Sequence, residues 1–221
     1  IVFKGWKLRG QPVQAEAEPI RFDAIQKLSL LLIVALFVSV VGFSQDVGFV
    51  CFTLAFILLL TGRVDEKKAA IAGLLHDSGR QIPTKEFIAK AAELGIPLDE
   101  VEKNQPILIH AKLGVYYAQQ EFGVTDPDIL SSIRYHTTGA AHMSPLAMVI
   151  YLADLVEPNR DFPGVDTMRE EVKKGLENGM RKAYAHTMEY LLDQGLLIHP
   201  DCLAGYNELV LKQKEKQNGQ E

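Results

Sequence analysis

The sequence has 221 residues, room for one ordinary domain and an appendage, and its 48% hydrophobic content supports a packed core rather than a disordered chain. A formal charge of -5, with no long Lys/Arg block to offset the acids, argues against nucleic acid as a partner; any anionic ligand must be met by local groups. Two cysteines, Cys51 and Cys202, lie far apart, with Cys51 inside an apolar run, so a disulfide framework is excluded and a cytoplasmic location is expected.

Residues 1–27 mix charges with Gly10, Pro12 and Pro19 and read as an irregular lead-in. The start at Ile1 is what a fragment or a processed product would show. Residues 28–61, "LSLLLIVALFVSVVGFSQDVGFVCFTLAFILLLT", form two apolar halves whose clearest polar break is Ser44, Gln45 and Asp46. Each half is about fifteen residues, short of the roughly 20 that span a bilayer. Three readings stay open for this segment. It is a membrane hairpin, with Arg21 and Lys27 before it and Arg63, Lys67 and Lys68 after it holding both ends on the cytoplasmic side. It is a pair of buried helices covered by the following domain, the second capped by Asp46. Or it is a corrupted first helix of that domain in the wrong reading frame, since neither half has a polar face.

From residue 62 to 221 the composition is that of an all-α domain. "VDEKKAAIAGLLH" predicts a helix capped by Asp65, and "TKEFIAKAAELG" one that begins at a Thr84 cap and stops at Gly95. "PILIHAKLGVYYAQQEFG" predicts a helix ending at Gly123, and "DPDILSSIRYH" another with Pro127 in its first turn. In "SPLAMVIYLADLVEP" Ser144 is the cap, Pro145 the first helical residue and Pro158 the stop. Two further helices are expected at roughly 165–194 and 200–215, before a solvated tail "KQKEKQNGQE". There is no repeat, no alternating strand pattern and no glycine-rich phosphate loop.

Several polar residues stand where apolar ones belong. Asp154 interrupts "AMVIYLADLVE", and an unpaired carboxylate on such a helix is costly to bury, so it needs a cation or a strong donor. His76 and Asp77 end an apolar run, His110 lies among Ile107, Leu108, Ile109 and Leu113, and His136 closes "LSSIRYH". One such histidine is more often a satisfied core residue than a ligand. Four placements on four helices are better explained together, because imidazole nitrogens and carboxylate oxygens suit Fe, Mn, Zn and similar ions. A bridging carboxylate holds two ions a few ångströms apart, and adjacent His76 and Asp77 can point to one such centre.

The order His76-Asp77, His110, His136, Asp154 resembles the HD superfamily of metal-dependent phosphohydrolases. The flanking stretches "AGLLHDSGR", "GIPLDE", "RYHTTG", "MSPLAMVIYLAD" and "EPNRDFPGV" are similar to its YqeK-type branch, the symmetrical bis(5'-nucleosyl)-tetraphosphatases, in register over about residues 64–210. The resemblance implies a helical HD domain that hydrolyses diadenosine tetraphosphate to two ADP. It implies two divalent or mixed-valence metal ions, iron first among them, held by His76, Asp77, His110, His136 and Asp154, with Asp77 and Arg80 at the catalytic centre. Bound ions of this kind acidify water and offset charge on phosphoryl oxygens. Arg80, Arg134 and Arg160 are then candidates for holding the polyphosphate through a planar fork. Thr137, Thr138 and Gly139 offer hydroxyls and a close backbone approach to phosphate, or else form a plain helix-terminating turn. His142, His186 and His199 are assigned to surface or packing roles.

The family carries an earlier metal-binding histidine, on the helix before the one that ends in His76-Asp77. No histidine precedes His76 here, and the expected position falls near Asp46 and Val47. Alternatives to the active hydrolase therefore stand beside it: a degenerate module that binds nucleotide without cleaving it, or an HD phosphohydrolase with another nucleotide substrate. Membrane association through residues 28–61 and an oligomeric assembly are further expectations.

Overall fold

Helical periodicity punctuated by caps and glycines becomes nine α-helices and no strand among the residues described, 64–218 of a computed structural model. The lead-in, the apolar segment 28–61 and Asp46 lie outside the described residues. Among those described, no helix is long and apolar enough to cross a membrane.

Helix α1 (Glu66–Leu75) starts where the Asp65 carboxylate accepts the Lys68 amide at 3.0 Å. A 3-10 turn over Ser78–Gln81 follows, then α2 (Phe87–Glu93) and the short α3 (Glu100–Asn104). Helix α3 opens with a capping box in which Asp99 accepts the Glu102 amide and Glu102 accepts the Asp99 amide. Next come α4 (Ile109–Gln120), α5 (Pro127–Tyr135) and α6 (Pro145–Val156). Asp126 and Ser144 cap the last two, and a proline occupies the first turn of each, as expected. The C-terminal part comprises α7 (Val165–Lys173), α8 (Leu176–Asp193) and α9 (Pro200–Asn218).

Four expected boundaries are corrected. Thr84 does not cap an α-helix: Thr84–Glu86 is a 3-10 turn begun by Pro83, and α2 starts at Phe87. Pro106–Leu108 is likewise a 3-10 turn, so α4 begins at Ile109. The helix expected over 165–194 is two helices, because Gly175 at φ 137° takes a backbone that other residues rarely adopt. The last helix runs past the expected end near 215 to Asn218, its final turn exposed to solvent as the tail was expected to be.

Nearly every side of α6 is buried, from Leu146 to Ala153 and again at Val156. It is the core helix, packed against α1, α5, α7 and α8. A smaller core of Phe87, Ala91, Ile109, Leu113 and Tyr117 joins α2 to α4. The hydrophobic stabilisation of this double core fixes the ends of α1, α4, α5 and α6.

Candidate metal centre

Each expected ligand sits at a helix end or next to one. His76 is the C-cap of α1 and Asp77 follows it; His110 is the second residue of α4; His136 is the C-cap of α5; Asp154 lies near the end of α6. Gly79 makes the approach of the first pair to α4 possible. A Cβ there would stand 2.0 Å from the His110 carbonyl oxygen and 2.8 Å from the Gly114 nitrogen, so the 78–81 turn lies directly on the α4 backbone.

The five side chains converge. Asp77 Oδ1 is 3.2 Å from His110 Nε2 and 3.4 Å from His136 Nε2, and Asp77 Oδ2 is 3.9 Å from His76 Nε2. Ligand atoms of His76, His136 and Asp154 lie within 4.8 Å of one another, as do those of Asp77, His110 and His136. His136 is common to both triads. The three histidines are 3%, 1% and 2% exposed, so they leave water almost entirely, while Asp77 keeps an open side.

The hydrogen bonds fix which nitrogen faces inward. His76 Nδ1 donates to the Gly73 carbonyl at 2.7 Å, His136 Nδ1 to Ile133 at 2.7 Å, and His110 Nδ1 to Ile107. A carbonyl can only accept, so each Nδ1 carries a proton, and the nitrogen left to face a metal is Nε2. The Nε2 atoms of His110 and His136 stand 3.0 Å apart. Two such nitrogens beside a carboxylate suit a positive charge between them, a metal ion or a shared proton. Backbone-oriented imidazoles of this kind are the usual support of a metal ligand. The donor set and its orientation therefore fit divalent metal.

The electrostatics agree. Burial first, then the fields of His76 and His110, hold His136 below its ordinary pKa against the bond to Asp77, which favours the neutral ligand form. Burial raises the Asp77 carboxyl, but the close imidazoles of His110 and His136, the field of His76 and a bond from Arg80 outweigh it and hold the group far below the carboxylate range.

Arg80 Nε donates to Asp77 Oδ1 at 2.7 Å, which places it at the centre's edge. Arg160 Nη2 donates to Asp154 Oδ1 at 2.8 Å, giving that carboxylate the donor its position demands. Arg134 is turned elsewhere. Its Nη2 meets Glu102 Oε1 at 3.2 Å, and Glu102, fully buried, also takes Lys112 Nζ at 2.5 Å. Thr138 donates to the Gly139 carbonyl, and Gly139 at φ 63° packs so tightly on Tyr184 that a Cβ would sit 2.3 Å from its ring. Both make the contacts of a turn. Thr137 differs: its Oγ1 is buried without a hydrogen-bond partner among the described residues.

Thr137 lines a cavity of about 540 Å³ together with His136, Asp154, Arg160, Phe162, His186 and Tyr190. His186, assigned from sequence to packing, is thus a wall of the site. Arg169 was not singled out in the sequence, yet it ties down the loop that carries Arg160 and Phe162. Its guanidinium donates to the carbonyls of Val156, Glu157 and Arg160. His142 pairs with Glu208 and His199 with Asp99, away from the cavity lining. A third group of potential ligand atoms, Asp99, Glu102 and His199, is already engaged in the α3 cap and in ion pairs to Lys112 and Arg134.

The HD domain family profile matches residues 44–159. A symmetrical bis(5'-nucleosyl)-tetraphosphatase of Halalkalibacterium halodurans is 38% identical over 150 residues, 68% of this chain and 80% of that protein. The Bacillus subtilis protein of the same name is 41% identical over 146 residues, 66% of this chain and 78% of the relative. A crystal structure of an HD superfamily hydrolase from Clostridium acetobutylicum, described as involved in NAD metabolism, superposes with a TM-score of 0.68 at 31% identity. It covers 73% of this chain and 86% of the other.

Proposed function

This chain belongs to the HD domain family, and on that premise we propose that it cleaves diadenosine tetraphosphate symmetrically to two ADP at a metal centre of His76, Asp77, His110, His136 and Asp154. The observation that carries the reading is the convergence of three Nε2 atoms on one carboxylate, each ring oriented by its own backbone carbonyl. Divalent ions in such a centre lower the pKa of water and neutralise developing phosphoryl charge. Water oxygen bonds to one of the two central phosphorus atoms, the bridging P–O bond between them breaks, and both halves leave as ADP. Arg80, bonded to Asp77, Arg160, bonded to Asp154, and the Thr137 hydroxyl that lines the same cavity as Arg160 supply the charge and the donor that hold the polyphosphate in line. Arg134 has no part in this, being occupied with Glu102.

Iron is the metal we propose. Nitrogen and oxygen ligands with no thiolate in the set accept it, and the resemblance to the YqeK-type branch favours it over manganese and zinc. The test is reconstitution: chelator-stripped protein is titrated with ferrous iron, manganese or zinc while ADP release is followed. Ferrous iron is expected to restore the highest turnover. Full activity after metal removal would overturn the metal-centred reading, and manganese or zinc surpassing iron would overturn the metal identity alone.

The lack of any histidine before His76 favours one second reading, a module that binds nucleotide and cleaves it weakly. In that case ADP binds and turnover stays near background with every metal.

A further inference from the structure

The lining of the cavity beside the metal centre falls into two chemically different groups. One is His136, Asp154 and Arg160, linked to one another, with the Thr137 hydroxyl that has no partner among the described residues; these suit phosphate and metal. The other is aromatic. The Phe162 and His186 rings lie 4.9 Å apart, centroid to centroid, with their planes inclined by 26°, and Tyr190 stands on the same helix as His186, one turn on. Gly164, at φ 94°, runs beside the same ring: a Cβ there would come 3.8 Å from His186 Nδ1.

We infer that the stacked Phe162 and His186 rings, with Tyr190 beside them, seat one nucleobase of the substrate, so that these residues set how much of the binding comes from the base rather than the phosphates. The inference rests on the hydrolase reading for the position of the phosphates. A nucleotide is polar at one end and flat and aromatic at the other, and the cavity offers both kinds of lining. Its volume of about 540 Å³ falls within the roughly 300–1,000 Å³ of small-ligand sites. The two rings are too close for a base to slide between them, so the base lies on the open face of the stacked pair. Every base has a π-face, so a platform of this kind gains affinity from stacking area and demands little of the base's edge.

The test uses the full metal-loaded chain and two ligands, ADP and inorganic pyrophosphate, which share phosphate chemistry and differ in the base. Calorimetric affinities are measured for the wild type, His186→Leu and His186→Phe. His186→Leu keeps an apolar filler, and His186→Phe keeps a flat ring. The expected result is an ADP affinity about tenfold weaker in His186→Leu, the loss of one stacking contact, with pyrophosphate unchanged and ADP affinity recovered in His186→Phe. Phe162→Leu, chosen because Phe162 also packs on the main core, should repeat the ADP-selective loss. Unchanged ADP affinity in His186→Leu overturns the inference. An equal loss for both ligands overturns it too, since the residue would then act on the phosphate end or on the fold. A wild-type chain that binds ADP and obeys this pattern yet never cleaves diadenosine tetraphosphate leaves the base seat standing and removes the hydrolase reading. Cleavage with the same KM in wild type and His186→Leu does the reverse.

Discussion

Asp77 is approached by three imidazoles and a guanidinium, and no other side chain among the described residues touches so many members of the centre. Replacing it with Ala is expected to abolish ADP release, a loss well beyond the roughly 10- to 100-fold that follows removal of an outer-shell partner, while circular dichroism shows the helices intact. Thr137 offers a test of opposite sign. Its buried hydroxyl has no partner among the described residues, and Val has nearly the same shape. Thr137→Val should leave thermal stability unchanged or raise it by about 1 kcal/mol, because a buried unsatisfied group is removed, yet raise the KM for diadenosine tetraphosphate several-fold. A fall in both would make Thr137 a structural residue. The five residues that converge stood out in the sequence because each is a polar group in apolar surroundings, which folding tolerates only for a reason. Arg134 misled because it stands two residues before His136, and positions i and i+2 on a helix point to different sides. Arg80, three residues after Asp77 on a 3-10 turn, returns to the same side. His186 carried no signal at all, since its stacking partner Phe162 lies on a distant loop and only the tertiary fold brings the rings together.

The elements that deliver these residues depend on a few contacts between backbones and buried charges. Gly79 is one of them. Because the atoms that its Cβ would meet are backbone atoms of α4, they cannot swing aside. Gly79→Ala should therefore lift the 78–81 turn off α4, cost about 1–3 kcal/mol as overpacking does, and lower metal affinity with it, as read by thermal melts with and without metal. Glu102 is another: Glu102→Ala strands Lys112 and Arg134 around an empty site and is expected to cost roughly 3–5 kcal/mol in denaturant unfolding. Its cap partner Asp99 gives an acid-side signature. Burial raises the Asp99 carboxyl, but the Glu102 amide and His199 outweigh this and hold it below the ordinary 3.8. A depressed folded-state pKa means that the stabilisation is present above about pH 4 and fades as pH falls below it. An Asp99→Asn variant should narrow the gap to wild type over that acid range. Helix starts at Asp65 and Ser144 were legible because a cap is a local chemical requirement, and the one at Pro127 because proline suits a first turn. The break at Gly175 was not, since a lone glycine inside a helical pattern is also compatible with an unbroken helix.

At the scale of the molecule, the centre draws on the ends of α1, α4, α5 and α6, elements joined otherwise by the double core. A metal bound there links four helices, so binding is also a stability term. Metal present at a hundredfold excess over its Kd should add about 2.7 kcal/mol, seen as a thermal midpoint that drops by several degrees on chelation and recovers when metal is restored. An unchanged midpoint would mean that the helices are held without it. The all-α architecture was legible throughout, because caps, stops and one unbroken apolar helix leave no pattern for strands. Segment 28–61 was not, since two apolar runs without a polar face satisfy several architectures at once. The central claim is symmetric, metal-dependent hydrolysis at His76, Asp77, His110, His136 and Asp154. Its most direct measurement is product analysis of the purified chain with diadenosine tetraphosphate and ferrous iron, beside Asp77→Ala. ADP as the sole nucleotide product, absent in the variant, is the predicted result. ATP with AMP, or ADP release that survives the substitution, would contradict it.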